Sequence, residues 1–218
     1  MPIRLDQRLT AIANLVDYGK VADVGCDHGK LGYYLVSTDR ASEVIATDIS
    51  KPSLDKAKEL AFENGVADVM QTRLCDGLGA VCSEEVDTVI VAGLGGDVIS
   101  GILQRAREEG KTFGSFILSP NTHPEKVRKE IVLSKHTIVF DEMLECAGKT
   151  YTIIKTKKGE SALDDMQIRF GAFYKTSDNF AQFAKKELCS LENILAKNPE
   201  AQLKDKIDLI KSALGDRI

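Results

Sequence analysis

The 218-residue chain contains no unbroken apolar run of about 18 residues, the length a membrane-spanning helix needs. Arg4, Asp6 and Arg8 interrupt its first residues, so no apolar leader core stands there either. The expectation is a cytoplasmic protein that does not enter a membrane. The five cysteines, Cys26, Cys75, Cys82, Cys146 and Cys189, form no Cys-x-x-Cys pair. That spacing suits neither a zinc site nor a disulfide framework, so reduced structural thiols and no metal are expected. Two phosphate-binding signatures are also missing. There is no Gly-x-Gly-x-x-Gly and no Gly-x-x-x-x-Gly-Lys-[Ser/Thr], which removes the main support for a dinucleotide oxidoreductase or a P-loop enzyme. Nor is there an [Asp/Asn]-Pro-Pro-[Tyr/Phe] segment to present acceptors to an exocyclic amine nucleophile.

The chain does have enough apolar residues, 43%, for a sizeable core. Its net charge of −4 is uneven: residues 1–110 carry −7 and residues 111–218 carry +3. A basic face on the second half could meet a polyanion, and an ordinary solvated surface would give the same numbers.

Apolar spacing lays out the elements. Leu5, Leu9, Ile12 and Leu15-Val16 recur as on a helix. Strands are expected at Val21 to Val24, at Val44 to Ala46 running to Asp48, at Val69 to Leu74, at Val86 to Ala92 and at Phe116 to Leu118. Helices fall between them. One carries Leu31, Tyr34 and Leu35; one buries Leu54, Ala57, Ala61 and Phe62 and ends at Asn64-Gly65; one runs through Val98, Ile99, Ile102 and Leu103; one spans 124–134. Alternation of strand and helix predicts an open, Rossmann-like α/β sheet. Thr137 to Phe140 and Tyr151 to Ile154 are expected to pair as an antiparallel edge. After Gly159 the period becomes helical throughout, with Asn198-Pro199 as cap and first-turn proline between two runs. The predicted domains are therefore residues 1–159 and a helical hairpin or coiled coil at 160–218.

The first turn reads Asp23-x-Gly25-x-x-x-Gly29, and Asp48 and Asp76 follow the second and third strands. Carboxylates at three successive strand ends suit a cationic amino-acid moiety, ribose hydroxyls and an adenine amine, and are awkward beside a diphosphate. This favours S-adenosylmethionine over NAD. The loop Ala92-Gly93-Leu94-Gly95-Gly96 closes toward the same crevice, with glycines where backbone must pass close to a neighbour.

At Arg4-Leu5 through Arg8-Leu9, Asp23-Val24-Gly25-Cys26-Asp27-His28-Gly29-Lys30-Leu31, Ala46-Thr47-Asp48-Ile49, Arg73-Leu74-Cys75-Asp76-Gly77-Leu78, Ile90 through Gly96, Pro120-Asn121-Thr122, Val127-Arg128 and Gly148-Lys149-Thr150-Tyr151, the chain resembles the bacterial tRNA (adenine(22)-N1)-methyltransferases. It departs from them at Cys26, at Gly29-Lys30-Leu31-Gly32, at Leu94 and at Ser119. The resemblance implies a class I, S-adenosylmethionine-dependent fold with a C-terminal coiled coil, and methylation of N1 of an adenine in the D-arm region of tRNA. It implies cofactor contacts from Asp23, Gly25, Cys26, Asp27, Asp48, Ile49, Asp76, Gly77, Ala92, Gly93 and Gly95. Asp27 is the leading catalytic candidate, with His28 and Asn121 beside it. Candidate RNA contacts are Arg4, Arg8, Lys126, Arg128, Lys129 and Lys135, with Lys185, Lys186, Lys204 and Lys211 helping to clamp the arm; no obligate protein partner is indicated. Phe116 and Tyr151 read as sheet core. Another methyltransferase substrate, or RNA binding without catalysis, would also fit the first-turn residues.

Overall fold

The computed structural model describes residues 3–197 and 201–217. Helix α1 (Gln7–Asn14) leads into β1 (Lys20–Val24), α2 (Lys30–Ser37), β2 (Glu43–Asp48), α3 (Lys51–Glu63) and β3 (Met70–Leu74). Then come β4 (Thr88–Ala92), α4 (Gly96–Glu108), β5 (Ser115–Ser119), α5 (Pro124–Leu133), β6 (His136–Cys146) and β7 (Lys149–Lys158). Helices α6 (Asp165–Phe170), α7 (Asp178–Lys197) and α8 (Ala201–Leu214) complete the chain.

The seven strands form one sheet in the order β3-β2-β1-β4-β5-β7-β6. Strands β1 to β5 are parallel, and β7 runs antiparallel to both β5 and β6. This is the Rossmann-like α/β sheet expected, with β7 as the reversed strand. The central parallel strands are mostly apolar because both sheet faces are covered, while the edge strand β3 carries Gln71, Thr72 and Arg73. Alternate residues feed two cores. Ala22, Val24, Val89, Val91, Phe116 and Leu118 meet Ile99, Ile102 and Leu103 of α4 and Val127 and Ile131 of α5. Val21, Val44, Ala46, Ile90 and Ile117 meet Ile12 of α1, Leu31 and Leu35 of α2, and Leu54 and Ala57 of α3.

The helix starts follow local chemistry. Asp6 caps α1 by accepting from Leu9 N at 2.7 Å, and Ser50 caps α3 with Pro52 in its first turn. Phe62 departs from the expected stripe of α3. It is 78% exposed, because it lies one residue, about 100° of helix, beyond the buried Ala61. In α2 it is Tyr33 that is buried, and Tyr34 only half so. Strands β6 and β7 are far longer than the apolar cores at 137–140 and 151–154, and pair from His136↔Lys158 to Cys146↔Lys149.

A third apolar cluster lies in the helical extension, where Tyr174, Phe180, Ala184 and Leu188 pack on Ile207, Ile210 and Leu214. Arg217, just past α8, donates to the carbonyls of Ser177 and Tyr174 at 3.1 and 2.8 Å, so α8 returns along α7. The expected cap at Asn198-Pro199 lies outside the described residues. Among the described residues no helix is long and apolar enough to cross a membrane, and no group of His, Cys, Asp and Glu could hold a metal ion.

Candidate active site

The strand order reverses direction between β1 and β4, and the crevice beyond their carboxyl ends is where ligands settle in open α/β sheets. A cavity of about 540 Å3 lies there, with Gly25, Asp27, Asp48, Ile49, Asp76, Gly77, Ala92 and Gly93 in its wall. Eight of the sequence-predicted positions thus converge. Arg8, expected as an RNA contact, joins them, and Val24, Ser53, Cys75, Leu94, Val98 and Ile102 complete the wall. Nothing in the spacing singled out these last six; they arrive because they flank the predicted loops or follow them on a helix.

Two backbone bends shape the first loop. Gly25 has φ +71°, and Asp27, an L residue, is held at φ +51°. Asp48 keeps it there: its Oδ2 accepts from Asp27 N at 3.0 Å and its Oδ1 accepts from Ser50 N at 2.8 Å. One carboxylate thus braces the first loop and the turn into α3. The Asp27 side chain remains 77% exposed, and His28 Nε2 stands 3.4 Å from its Oδ1. The same nitrogen is 3.2 Å from Lys56 Nζ, so His28 links α3 to the loop.

Asp23, Cys26 and Gly95 do not line the cavity. Asp23 is the penultimate residue of β1, 4% exposed, and its Oδ2 has no hydrogen-bond partner. Burial pushes its carboxyl up to about 7, opposed by a backbone hydrogen bond from Gly32 and assisted by the Asp48 charge. Cys26 is buried too, and burial with the neighbouring carboxylates drives its thiol well above the ordinary range, which leaves it unreactive. Asp76 is exposed at the rim and paired with Arg105 at 3.0 Å.

The glycine loop is shaped chiefly by its neighbours. A Cβ on Gly95 would stand 3.3 Å from Thr122 Oγ1, and one on Gly96 would lie 2.3 Å from Thr122 O and 2.4 Å from His123 O. Gly96 N donates to Thr122 O at 2.8 Å, and Asn121 N to Leu94 O at 2.8 Å. Asn121 Nδ2 also donates to Gly93 O at 2.6 Å, so its amide ties the loops after β4 and β5 together. Asn121 borders a second cavity of about 660 Å3, between that loop, Met143, Thr150 and Thr152 of β6 and β7, and Phe170, Phe183 and Ile210 of the helical extension.

The basic candidates separate sharply. Arg128 cannot contact RNA in this fold: it is 1% exposed, and its Nε and Nη2 donate to Asp141 at 2.7 and 3.0 Å. Its Nη1 donates to Ile168 O at 3.0 Å. The position looked basic and superficial because its partners lie 13 and 40 residues away. Arg8 is no surface cation either. It sits over the Tyr151 ring, 5.0 Å from the centroid, and enters the cavity wall. Tyr151 is accordingly a half-buried platform for Arg8, where the sequence suggested sheet core. Phe116 is core, at 3% exposure. Lys126 is paired with Asp97, Lys135 with Glu160, Lys186 with Glu145 and Lys211 with Glu192. Arg4, Lys129, Lys185 and Lys204 are exposed.

Residues 5–154 match the family model described as a methyltransferase domain. A tRNA (adenine(22)-N(1))-methyltransferase of Bacillus subtilis (strain 168) is 27% identical over 232 residues, 97% of this chain and 98% of the relative. The crystal structure of Streptococcus pneumoniae Sp1610, a candidate tRNA (m1A22) methyltransferase in complex with S-adenosyl-L-methionine, aligns with a TM-score of 0.87 at 31% identity, over 97% of this chain and 100% of that one. The crystal structure of the B. subtilis m1A22 tRNA methyltransferase aligns with a TM-score of 0.84 at 25% identity, over 97% and 99% of the two chains.

Proposed function

The chain belongs to the methyltransferase-domain family and, within it, to the tRNA (m1A22) methyltransferases, and from that membership we propose that its crevice transfers a methyl group from S-adenosylmethionine to N1 of adenine 22 in tRNA. The observation that carries this reading is the convergence of Asp27, Asp48 and Asp76 on one cavity at the strand-order switch of a class I methyltransferase sheet.

The cavity fits the donor. Its volume, about 540 Å3, falls within the ordinary range for small-molecule sites. Gly25 and Gly93, at φ +71° and +83°, keep the two loops free of Cβ atoms along its floor. Asp48 would accept from ribose hydroxyls through lone pairs that its two backbone contacts leave free. Asp76 and Gly77 would border the adenine, with the exposed Ile49 and Val98 as apolar flanks. Asp23, beneath the loop, would act through its field and not by contact.

When bound, the donor supplies an electrophilic methyl group on a sulfonium, which the in-plane lone pair of adenine N1 displaces. N1 carries no proton to be removed, so the protein's task is alignment and exclusion of water. Asp27 would accept from adenine N6 and stabilise the positive charge that the base acquires. His28 would orient that carboxylate, and Asn121 would fix the shape of the opposite wall through Gly93. The base must leave its stack to reach the cavity.

This reading divides the chain as catalytic residues 1–159 and tRNA-gripping residues 160–218, with α7 and α8 as a coiled-coil-like hairpin working in the cytoplasm. Exposed Arg4, Lys129, Lys185 and Lys204 would meet phosphates. Incubation with unmodified tRNA and labelled S-adenosylmethionine, then nuclease digestion and mass mapping, tests it. A methyl mark on N1 of adenine 22 is expected; a mark elsewhere, or none, would overturn it.

A further inference from the structure

Arg8 is the only basic residue in the wall of the first cavity, among the described residues, facing Asp27, Asp48 and Asp76. It comes from α1, and its guanidinium reaches the loop after β4, where a Cβ on Gly93 would lie 3.3 Å from Nη1. Its Nη1 is buried and has no hydrogen-bond partner. An arginine is always charged, and a buried donor left unsatisfied is costly, so the arrangement calls for an anion. The group is also held in place: Arg8 Cζ stands over the ring of Tyr151, which lies on β7 opposite Leu144 of β6, 5.0 Å from its centroid.

An S-adenosyl donor carries one anionic group, the carboxylate of its amino-acid end. The acidic residues of the cavity suit the rest of the molecule, its ammonium, sulfonium, ribose hydroxyls and adenine amine. Resting on the methyl-donor site proposed above, we infer that Arg8 grips the carboxylate of the donor's amino-acid end and that Tyr151 is the positioning residue that holds Arg8 there. Arg8 thereby sets the slide of the donor along the crevice, and with it the place where the methyl group stands. An arginine offers two parallel N–H groups to a carboxylate, which fixes angle as well as distance.

The test compares two ligands that differ in that end. S-adenosylhomocysteine carries the amino acid; 5′-methylthioadenosine has the same adenosine and sulfur without it. In calorimetry, Arg8→Gln is expected to weaken S-adenosylhomocysteine ten- to a hundredfold and to leave methylthioadenosine within twofold. The second ligand reports that the cavity is still folded. Tyr151→Leu should weaken the first ligand selectively and by less, and Arg8→Lys should restore part of the loss. Equal weakening of both ligands, or no change in either, would overturn the assignment. So would loss of tRNA affinity with unchanged S-adenosylhomocysteine affinity, which would make Arg8 an RNA contact. Failure of the unaltered protein to bind either ligand would sink the methyl-donor reading itself.

Discussion

Arg128→Met removes a guanidinium whose partners are buried with it. Asp141, also 1% exposed, would lose both charge-assisted hydrogen bonds and keep only the donor from Ala172 N at 2.8 Å. The carbonyl of Ile168 would lose its donor too. Breaking one half of a buried ion pair costs about 3–5 kcal/mol, because the other charge stays buried and unmatched. That is a large share of the ~5–15 kcal/mol that holds an ordinary domain together. For a chain of this size each kcal/mol moves the midpoint by about 2–4 °C, so a fall of roughly 6–20 °C is expected. Denaturant titration and thermal unfolding measure it. The exposed neighbour supplies the control: Lys129→Met should stay within about 0.5 kcal/mol. Adding Asp141→Leu to Arg128→Met should recover part of the loss, since no lone charge then remains. The reasoning is refuted if Arg128→Met melts within about 2 °C of the parent while its tRNA affinity becomes less salt-dependent. That result would place the guanidinium on the surface, against phosphate.

Asp23 gives the chain a pH dependence of definite sign. Its folded-state pKa, about 7, is above the ordinary value of 3.8, so its stabilising contribution is complete below pH 4 and is lost as pH rises through 7. Asp23→Asn should therefore be more stable than the parent at pH 8, by up to about 4 kcal/mol, and the gap should close toward pH 4; an unchanged gap refutes the assignment. Asp48→Ala should weaken S-adenosylhomocysteine by about tenfold or more in calorimetry, and equal affinity would remove Asp48 from the ribose. Asp27→Ala should bind that ligand normally yet lose single-turnover transfer by about a hundredfold, and a preserved rate would remove Asp27 from the mechanism. Gly96→Ala should lower stability by about 1–3 kcal/mol, because its methyl group would meet two backbone carbonyls; an unchanged midpoint would mean the loops part freely.

Strands β1, β2, β4 and β5 were legible because parallel strands covered on both faces are mostly apolar, and the loops at their ends carried the acidic residues and glycines that now line the cavity. Strands β6 and β7 were only half legible. Asp141, Glu142, Glu145, Lys155, Lys157 and Lys158 break the apolar pattern, and a register shift between Ile138 and Phe140 spoils alternation further. The six-residue α6 went unnoticed although Asp164 and Gln167 spell a capping box around its start. Arg128 was misread, and the setting of Arg8 went unseen, for one reason. A cation's surroundings depend on groups distant along the chain, Tyr151 for one and Asp141 for the other, and no local window contains both members. Asp23 shows the same limit: its place near the end of the first strand was evident, and its depth was not.

The backbone contact at Gly96 has a mechanical consequence. With the start of α4 pressed onto the carbonyls of Thr122 and His123, and Asn121 tied to Gly93 and Leu94, the two loops on that flank behave as a single fixed jaw. Any widening of the mouth to admit a nucleoside must then come from the opposite flank, the loop that carries Gly25 and Asp27 and that Asp48 braces.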